Sequence, residues 1–298
     1  MEQVLTLIAG DAGGGLAEAT LAAARATLRE AGAAPGPLDW LAEGIACDIP
    51  FTGGDQAEAE RTLRHRLQGL SVDMAVQAAT CRRRRLLVAD MESTIVTREL
   101  TDELAGLVGL GGRVAPITER AMRGEIDFPD SLRERVALLR GQPAELLERV
   151  KALIELTPGA RTLVQTMKAG GARTALLSGG FDCFAAVAAA ACGFDEYHAN
   201  RLLIADGVLA GIVAEPILGR EAKRAILERL AAERAVPLAE AAAVGDGAND
   251  IPMIARAGLG VAYHGKPAVA AAARFRIDHA DLTGLLYLQG YRSAEFRA

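Results

Sequence analysis

Four short stretches of this 298-residue chain carry side chains whose types and spacing suit chemistry. Asp90-Met91-Glu92-Ser93-Thr94 sets two carboxylates two residues apart. At a strand tip where the chain turns, both can face one site, one as a nucleophile and the other as a general acid or base. The same pattern also suits a helix N-terminus, where acidic residues complement the dipole. Gly245-Asp246-Gly247-Ala248-Asn249-Asp250 collects oxygen ligands for a hard cation such as Mg2+, although Gly, Asn and Asp also dominate plain surface turns. Ser178-Gly179-Gly180 offers a hydroxyl and free backbone N–H groups that can hold phosphate oxygens. Lys223 opens a helical stretch and, taken alone, reads as a solvated surface lysine.

These residues need a scaffold that brings distant stretches to one edge. Short apolar runs at 86–89, 174–177, 241–244 and 259–262 look like buried strands, and three of them end at Asp90, Ser178 and Asp246. Alternating with helical segments such as 221–234, they predict a doubly wound parallel α/β sheet. Ligands of such sheets bind beyond the carboxyl ends of the strands. Residues 99–155 are helical in pattern throughout, with almost no strand signal. Ahead of the sheet, strand-like 4–9, helical 16–30, strand-like 38–50, helical 55–70 and strand-like 72–78 predict a small ferredoxin-like α/β unit. The run Arg82-Arg83-Arg84-Arg85 reads as a solvated linker between the two units, with few contacts crossing it.

Composition bounds the partners. The formal net charge of −5 disfavours nucleic acid. No apolar run reaches the roughly 20 residues of a membrane span, and the first ten residues lack the basic start and length of a signal peptide. The expectation is a cytoplasmic protein with no membrane partner. The four cysteines form no C-x-x-C pair and read as reduced thiols, and the four histidines lack metal-ligand spacing.

Taken together and in order, the four stretches resemble the motif set of the haloacid dehalogenase superfamily, from Arg85 to about Tyr291. The resemblance sharpens to its phosphoserine phosphatase family. The stretches 92–99, 121–136, 177–181 and 243–250 are each similar to a segment of that family. This implies a core domain at 85–298, a small helical cap inserted at about 99–157, and an ACT-like regulatory unit at 1–80. It also implies Mg2+-dependent hydrolysis of phosphoserine through an aspartyl-phosphate, the last step of serine biosynthesis. Asp90 would be the nucleophile, Glu92 the general acid and base, and Lys223 a holder of the phosphate beside Ser178 and Gly179. Glu99 would meet the substrate ammonium and Arg135 its carboxylate, with Met122 and Phe128 walling the pocket. Mg2+ would be held by Asp90, Asp246 and the main-chain carbonyl of Glu92, while Asn249 and Asp250 orient Lys223 and the metal waters. The family usually has Asp where this chain has Glu92, one methylene longer. Two other readings remain open: action on another small phosphomonoester, including phosphotransfer, and an amino-acid-binding regulator with a degenerate catalytic domain. A homodimer is compatible with each.

Overall fold

The computed structural model describes residues 2–10, 14–122 and 125–298, with the side chain of Met122 outside the description. The N-terminal unit holds strands β1 (Gln3–Ala9), β2 (Ala33–Pro35), β3 (Asp39–Ala42), β4 (Ala46–Gly53) and β5 (Val72–Ala78), with helices α1 (Glu18–Glu30) and α2 (Gln56–Arg66). Its sheet runs β2-β4-β1-β5, and its pairs are antiparallel. The single strand expected at 38–50 is instead a hairpin. Gly44 takes the left-handed conformation at φ 70, and the chain folds back so that Asp39 pairs with Asp48. The alternating pattern ran through the turn and hid it. β2 lies along the same edge of β4, with Pro35 opposite Phe51. The resulting strand order is that of a ferredoxin-like sandwich. Leu5, Leu7, Cys47, Ile49 and Val76 fill the core beneath its helices.

The main domain follows. Its strands are β6 (Leu86–Asp90), β7 (Arg173–Phe181), β8 (Glu196–Asn200), β9 (Leu202–Ala205), β10 (Val208–Val213), β11 (Ala241–Gly245), β12 (Leu259–Tyr263) and β13 (Phe275–Ile277). Its helices are α3 (Leu100–Leu107), α4 (Gly111–Met122), α5 (Phe128–Ala137), α6 (Leu146–Lys151), α7 (Ala160–Ala169), α8 (Asp182–Cys192), α9 (Arg220–Glu233), α10 (Ile251–Arg256), α11 (Pro267–Ala272) and α12 (Gly284–Leu288). The sheet order is β13-β12-β11-β6-β7-β8, parallel throughout.

The strands are apolar on both faces because both faces are covered. Leu87, Ala89, Leu176 and Val244 pack with α7, α8 and α12, while Leu86, Val88, Leu177 and Ala243 pack with α9, α10 and α11. From β6 the chain passes to β7 on one side and later to β11 on the other. That reversal opens a crevice at the carboxyl tip of β6. Helices α3 to α6 form the cap between β6 and β7. The hairpin β9–β10, which carried no clear signal in the sequence, braces the cap: Gly141 N–H donates to the Leu209 carbonyl at 2.9 Å and Leu209 N–H to Gln142 at 2.8 Å. Among the described residues, no helix is long and apolar enough to cross a membrane.

The arginine run departs from the expected solvated linker. The Arg82 side chain is only 9% exposed; it pairs with Asp48 at 2.5 Å and donates to Thr6 Oγ1 at 2.9 Å and to the Tyr287 carbonyl at 3.1 Å. Asp48 is itself buried, and a buried carboxylate without a partner is expensive. Asp73 spans the same seam, accepting N–H bonds from Asp278, His279 and Ala280 at 2.8, 3.1 and 2.9 Å. Ile8, Leu41, Ala46 and Ala75 of the first unit join the core of the second. Many contacts therefore cross the seam, where few were expected.

Candidate active site

The tips of β6, β7 and β11 and the start of α9 converge. Asp90 ends β6, and its carboxylate accepts from the ammonium of Lys223, which is 1% exposed. The same ammonium reaches Asp250 at 2.6 Å. Burial works against a charged lysine, but the Asp250 and Asp90 carboxylates outweigh it and hold its pKa above the ordinary value. Burial, and then the charge of Asp250, push Asp90 upward, while Lys223 pulls it down. Asp246, just past β11, is also pushed up, first by burial. Carboxylate oxygens of Asp90, Asp246 and Asp250 lie within 4.8 Å of one another. This all-oxygen donor set is the kind a hard divalent cation takes.

After Asp90 the backbone turns sharply: Ile95 and Val96 N–H groups both return to the Met91 carbonyl, each at 2.9 Å. Ser93 sits in the left-handed region at φ 56, a conformation that costs a non-glycine residue energy and recurs at functional sites. The turn sends Glu92 over the crevice, where Oε1 accepts from Thr101 N–H of α3 at 3.2 Å. A methyl group on Gly180 would fall 2.8 Å from Glu92 Oε2, so the carboxylate lies directly over the tip of β7. Burial, and then the nearby charge of Glu99, push Glu92 up to about 7, against the N–H bonds from Thr101 and Leu100. A carboxyl group at that pKa can give and take a proton near neutrality.

The tip of β7 is held by hydrogen bonds. The Ser178 hydroxyl accepts from Gly180 N–H at 2.8 Å. The buried Asn200 amide donates to the Gly179 carbonyl at 2.9 Å and locks Leu218 through two further bonds. Phe128 of the cap reaches down onto this tip: a methyl on Gly179 would meet its ring at 3.0 Å. The cap also supplies Arg135. Its guanidinium is half-buried, donates to the Ser131 carbonyl at 3.3 Å and, among the described residues, forms no ion pair. Burial lowers its pKa, while Asp102, Glu92 and Glu99 raise it. Glu99 accepts from the Ser93 hydroxyl at 2.8 Å. Asn249 is exposed, its amide 3.4 Å from Asp250. Met122 cannot be placed, since its side chain lies outside the described residues.

The family model described as haloacid dehalogenase-like hydrolase matches residues 87–255, more than half of the chain and the whole span from β6 into α10. The chain belongs to this family. A phosphoserine phosphatase of Streptomyces coelicolor is 41% identical over 286 residues, 95% of this chain and 70% of that protein. Among solved structures, a probable phosphoserine phosphatase from Vibrio cholerae superposes with a TM-score of 0.78 at 33% identity, covering 99% of this chain and 88% of that one. A structure described as a phospho-aspartyl intermediate analogue of phosphoserine phosphatase has a TM-score of 0.64 at 39% identity, over 68% of this chain and 98% of that one.

Within this haloacid dehalogenase fold, two residues of the site went unnoticed in the sequence. Lys266, after β12, places its ammonium 3.0 Å from Asp246 and 3.5 Å from Glu99. Asn200 ends β8 and fixes the β7 tip. Neither lies in a motif with recognisable spacing, and each acquires its neighbours only when separate strands come together. Asp250, expected to orient Lys223, is in direct contact with it and belongs to the carboxylate cluster.

Proposed function

We propose that this chain hydrolyses O-phosphoserine to serine and phosphate through a phosphorylated Asp90, with Mg2+ as its cofactor. One observation carries the reading. A buried lysine-bridged carboxylate at the tip of β6 shares its crevice with a half-buried guanidinium, Arg135, that forms no ion pair among the described residues. The first suits phosphoryl transfer and the second suits a substrate carboxylate, which a planar guanidinium can pair in bidentate fashion. The names of the relatives agree with this substrate.

In the first step an Asp90 carboxylate oxygen attacks phosphorus and the bond from phosphorus to the serine oxygen breaks. An alkoxide is a poor leaving group, so Glu92 in its acid form delivers a proton to it. Its elevated pKa near 7 leaves a useful fraction protonated. In the second step Glu92, now ionised, takes a proton from water as that water attacks phosphorus, and Asp90 leaves as carboxylate with phosphate released. Lys223, the Ser178 hydroxyl and the Gly179 N–H hold the equatorial phosphate oxygens, where charge spreads in the transition state. Glu99 takes the ammonium, and Phe128 seals the pocket from the cap side.

Asp90, Asp246 and the main-chain carbonyl of Glu92 would hold Mg2+, with Asp250 steadying Lys223 and the bound waters. The ion would supply positive charge against the transferring phosphoryl group. The longer Glu92 fits a crevice in which its carboxylate already reaches from Thr101 to the β7 tip.

The deciding experiment is phosphate release from phosphoserine against a panel of phosphorylated amino acids and sugars, with Mg2+ present and then chelated. The expected result is a marked preference for phosphoserine that disappears without Mg2+. Equal rates across the panel would remove the substrate assignment.

A further inference from the structure

The mechanism above leaves Lys266 without a role, yet its ammonium touches two groups that the mechanism uses for different ligands. It lies 3.0 Å from Asp246, a proposed metal ligand, and 3.5 Å from Glu99, the proposed acceptor of the substrate ammonium. The loop that presents it is built with care. Lys266 N–H donates to the Asp246 carbonyl at 2.8 Å, tying the tip of β12 to that of β11. His264 adopts the left-handed region at φ 41, which a non-glycine residue holds only where its surroundings over-determine it. Those surroundings are an N–H bond to the Ile277 carbonyl at 2.8 Å, a ring nitrogen 3.1 Å from the Ala280 carbonyl, and an edge contact with Tyr263 at 4.4 Å. The Glu99 side is braced by Ser93, also in the left-handed region, whose hydroxyl donates to the same oxygen that faces Lys266.

We propose that Lys266 is the site's resident counter-ion and couples metal binding to amino-group binding. The inference rests on the phosphoserine reading. With neither ligand bound, one ammonium is shared between the two carboxylates. A divalent cation taking Asp246 displaces that ammonium from its shorter contact. What remains is a 3.5 Å attraction to a Glu99 that is 46% exposed, too weak to hold a side chain that is itself 60% exposed. Lys266 then retreats into solvent, and Glu99 is free for the substrate ammonium. Linkage makes the effect reciprocal: an amino group at Glu99 loosens Lys266 and opens Asp246 to the metal. An exposed ion pair limits the size of the coupling to about two- to fivefold in affinity.

Calorimetric titration tests this without turnover. L-serine is titrated with and without Mg2+, and Mg2+ with and without L-serine, into the wild-type chain and Lys266→Met. Methionine keeps the side-chain length, and the backbone bond to Asp246 is untouched. In the variant, each ligand alone should bind more tightly than in the wild type. The gain in serine affinity on adding Mg2+ should be about two- to fivefold larger in the wild type than in the variant, and Lys266→Arg should restore it. A gain of the same size in wild type and Lys266→Met would overturn the inference while leaving the phosphoserine reading in place. Serine failing to bind either protein in the presence of Mg2+ would overturn both.

Discussion

At the proposed phosphate end of the site, the Asp90, Lys223 and Asp250 side chains are 7%, 1% and 0% exposed, whereas at the proposed amino-acid end Glu99 and Lys266 are 46% and 60% exposed. The first group comes from strand tips and a helix set into the core of the sheet, and its geometry is settled by packing before any ligand arrives. The second comes from the cap entrance and a loop, where solvent still competes for each charge. The contrast suggests a division of labour. The proposed chemistry lies where water is excluded and each charge has a fixed partner, so that preorganised dipoles count most. The proposed recognition of the amino acid lies where groups can exchange partners as ligands enter and leave. Glu92 and Arg135 sit between the two regimes, each half-buried.

The comparison breaks first at Asp90. Asp90→Asn should abolish turnover, by at least about 10⁴-fold, because an amide cannot attack phosphorus. The variant should still fold, as circular dichroism will report. A folded variant that hydrolyses phosphoserine near the wild-type rate would end the aspartyl-phosphate mechanism.

The next effect depends on the leaving group. Glu92→Gln should slow phosphoserine hydrolysis by about 10²- to 10⁴-fold, the usual worth of general acid–base help. With p-nitrophenyl phosphate, whose leaving group needs no proton, the pre-steady-state burst should survive while steady-state turnover falls for want of a base. A burst slowed equally for both substrates would assign Glu92 to geometry and not to proton transfer.

The amino-acid end should respond selectively. Arg135→Ala should cost phosphoserine about 2 kcal/mol in kcat/KM, near 30-fold, and Glu99→Gln somewhat less, because Glu99 is more exposed. An aryl phosphate should be nearly indifferent to either change. Equal losses on both substrates would erase the distinction between the two ends.

The smallest effect is on stability in the metal-free protein. The Glu92 carboxyl is raised from 4.5 to about 7, so the folded state binds its proton more tightly than the unfolded chain does. The stability that this proton brings is fully present below about pH 4.5 and is lost as pH rises towards 7. Glutamine carries no such titration. The melting temperature of Glu92→Gln relative to wild type should therefore climb between pH 4.5 and 7 and then level off. Its worth is of order 1 kcal/mol, less than the full shift because water reaches the half-buried group. A difference that stays flat across this window would show that the carboxyl is not held protonated by its surroundings.

The boundary between what was legible and what was not follows physical lines. The strands β6, β7, β11 and β12 could be read because burial on both faces demands continuous apolar runs, and such runs are local. The tips of β6, β7 and β11 could be read because turning a chain at a strand end requires glycine and small polar residues in sequence. The carboxylates and the lysine could be picked out only as a set, since each alone is an ordinary turn or surface residue. What remained hidden was set by partners far away in the chain. The hairpin β3–β4 was masked by an alternation that continued through Gly44. Arg82 looked solvated because Asp48, Thr6 and Tyr287, which bury it, lie 34, 76 and 205 residues away. Lys266 and Asn200 carry no local pattern at all. The sequence alone thus determined the strands and tips around the site and the chemical types they carry, because periodicity and turn chemistry act over a few residues. Only the tertiary structure decided which charges meet, because the energy of a buried charge depends on what the fold places beside it.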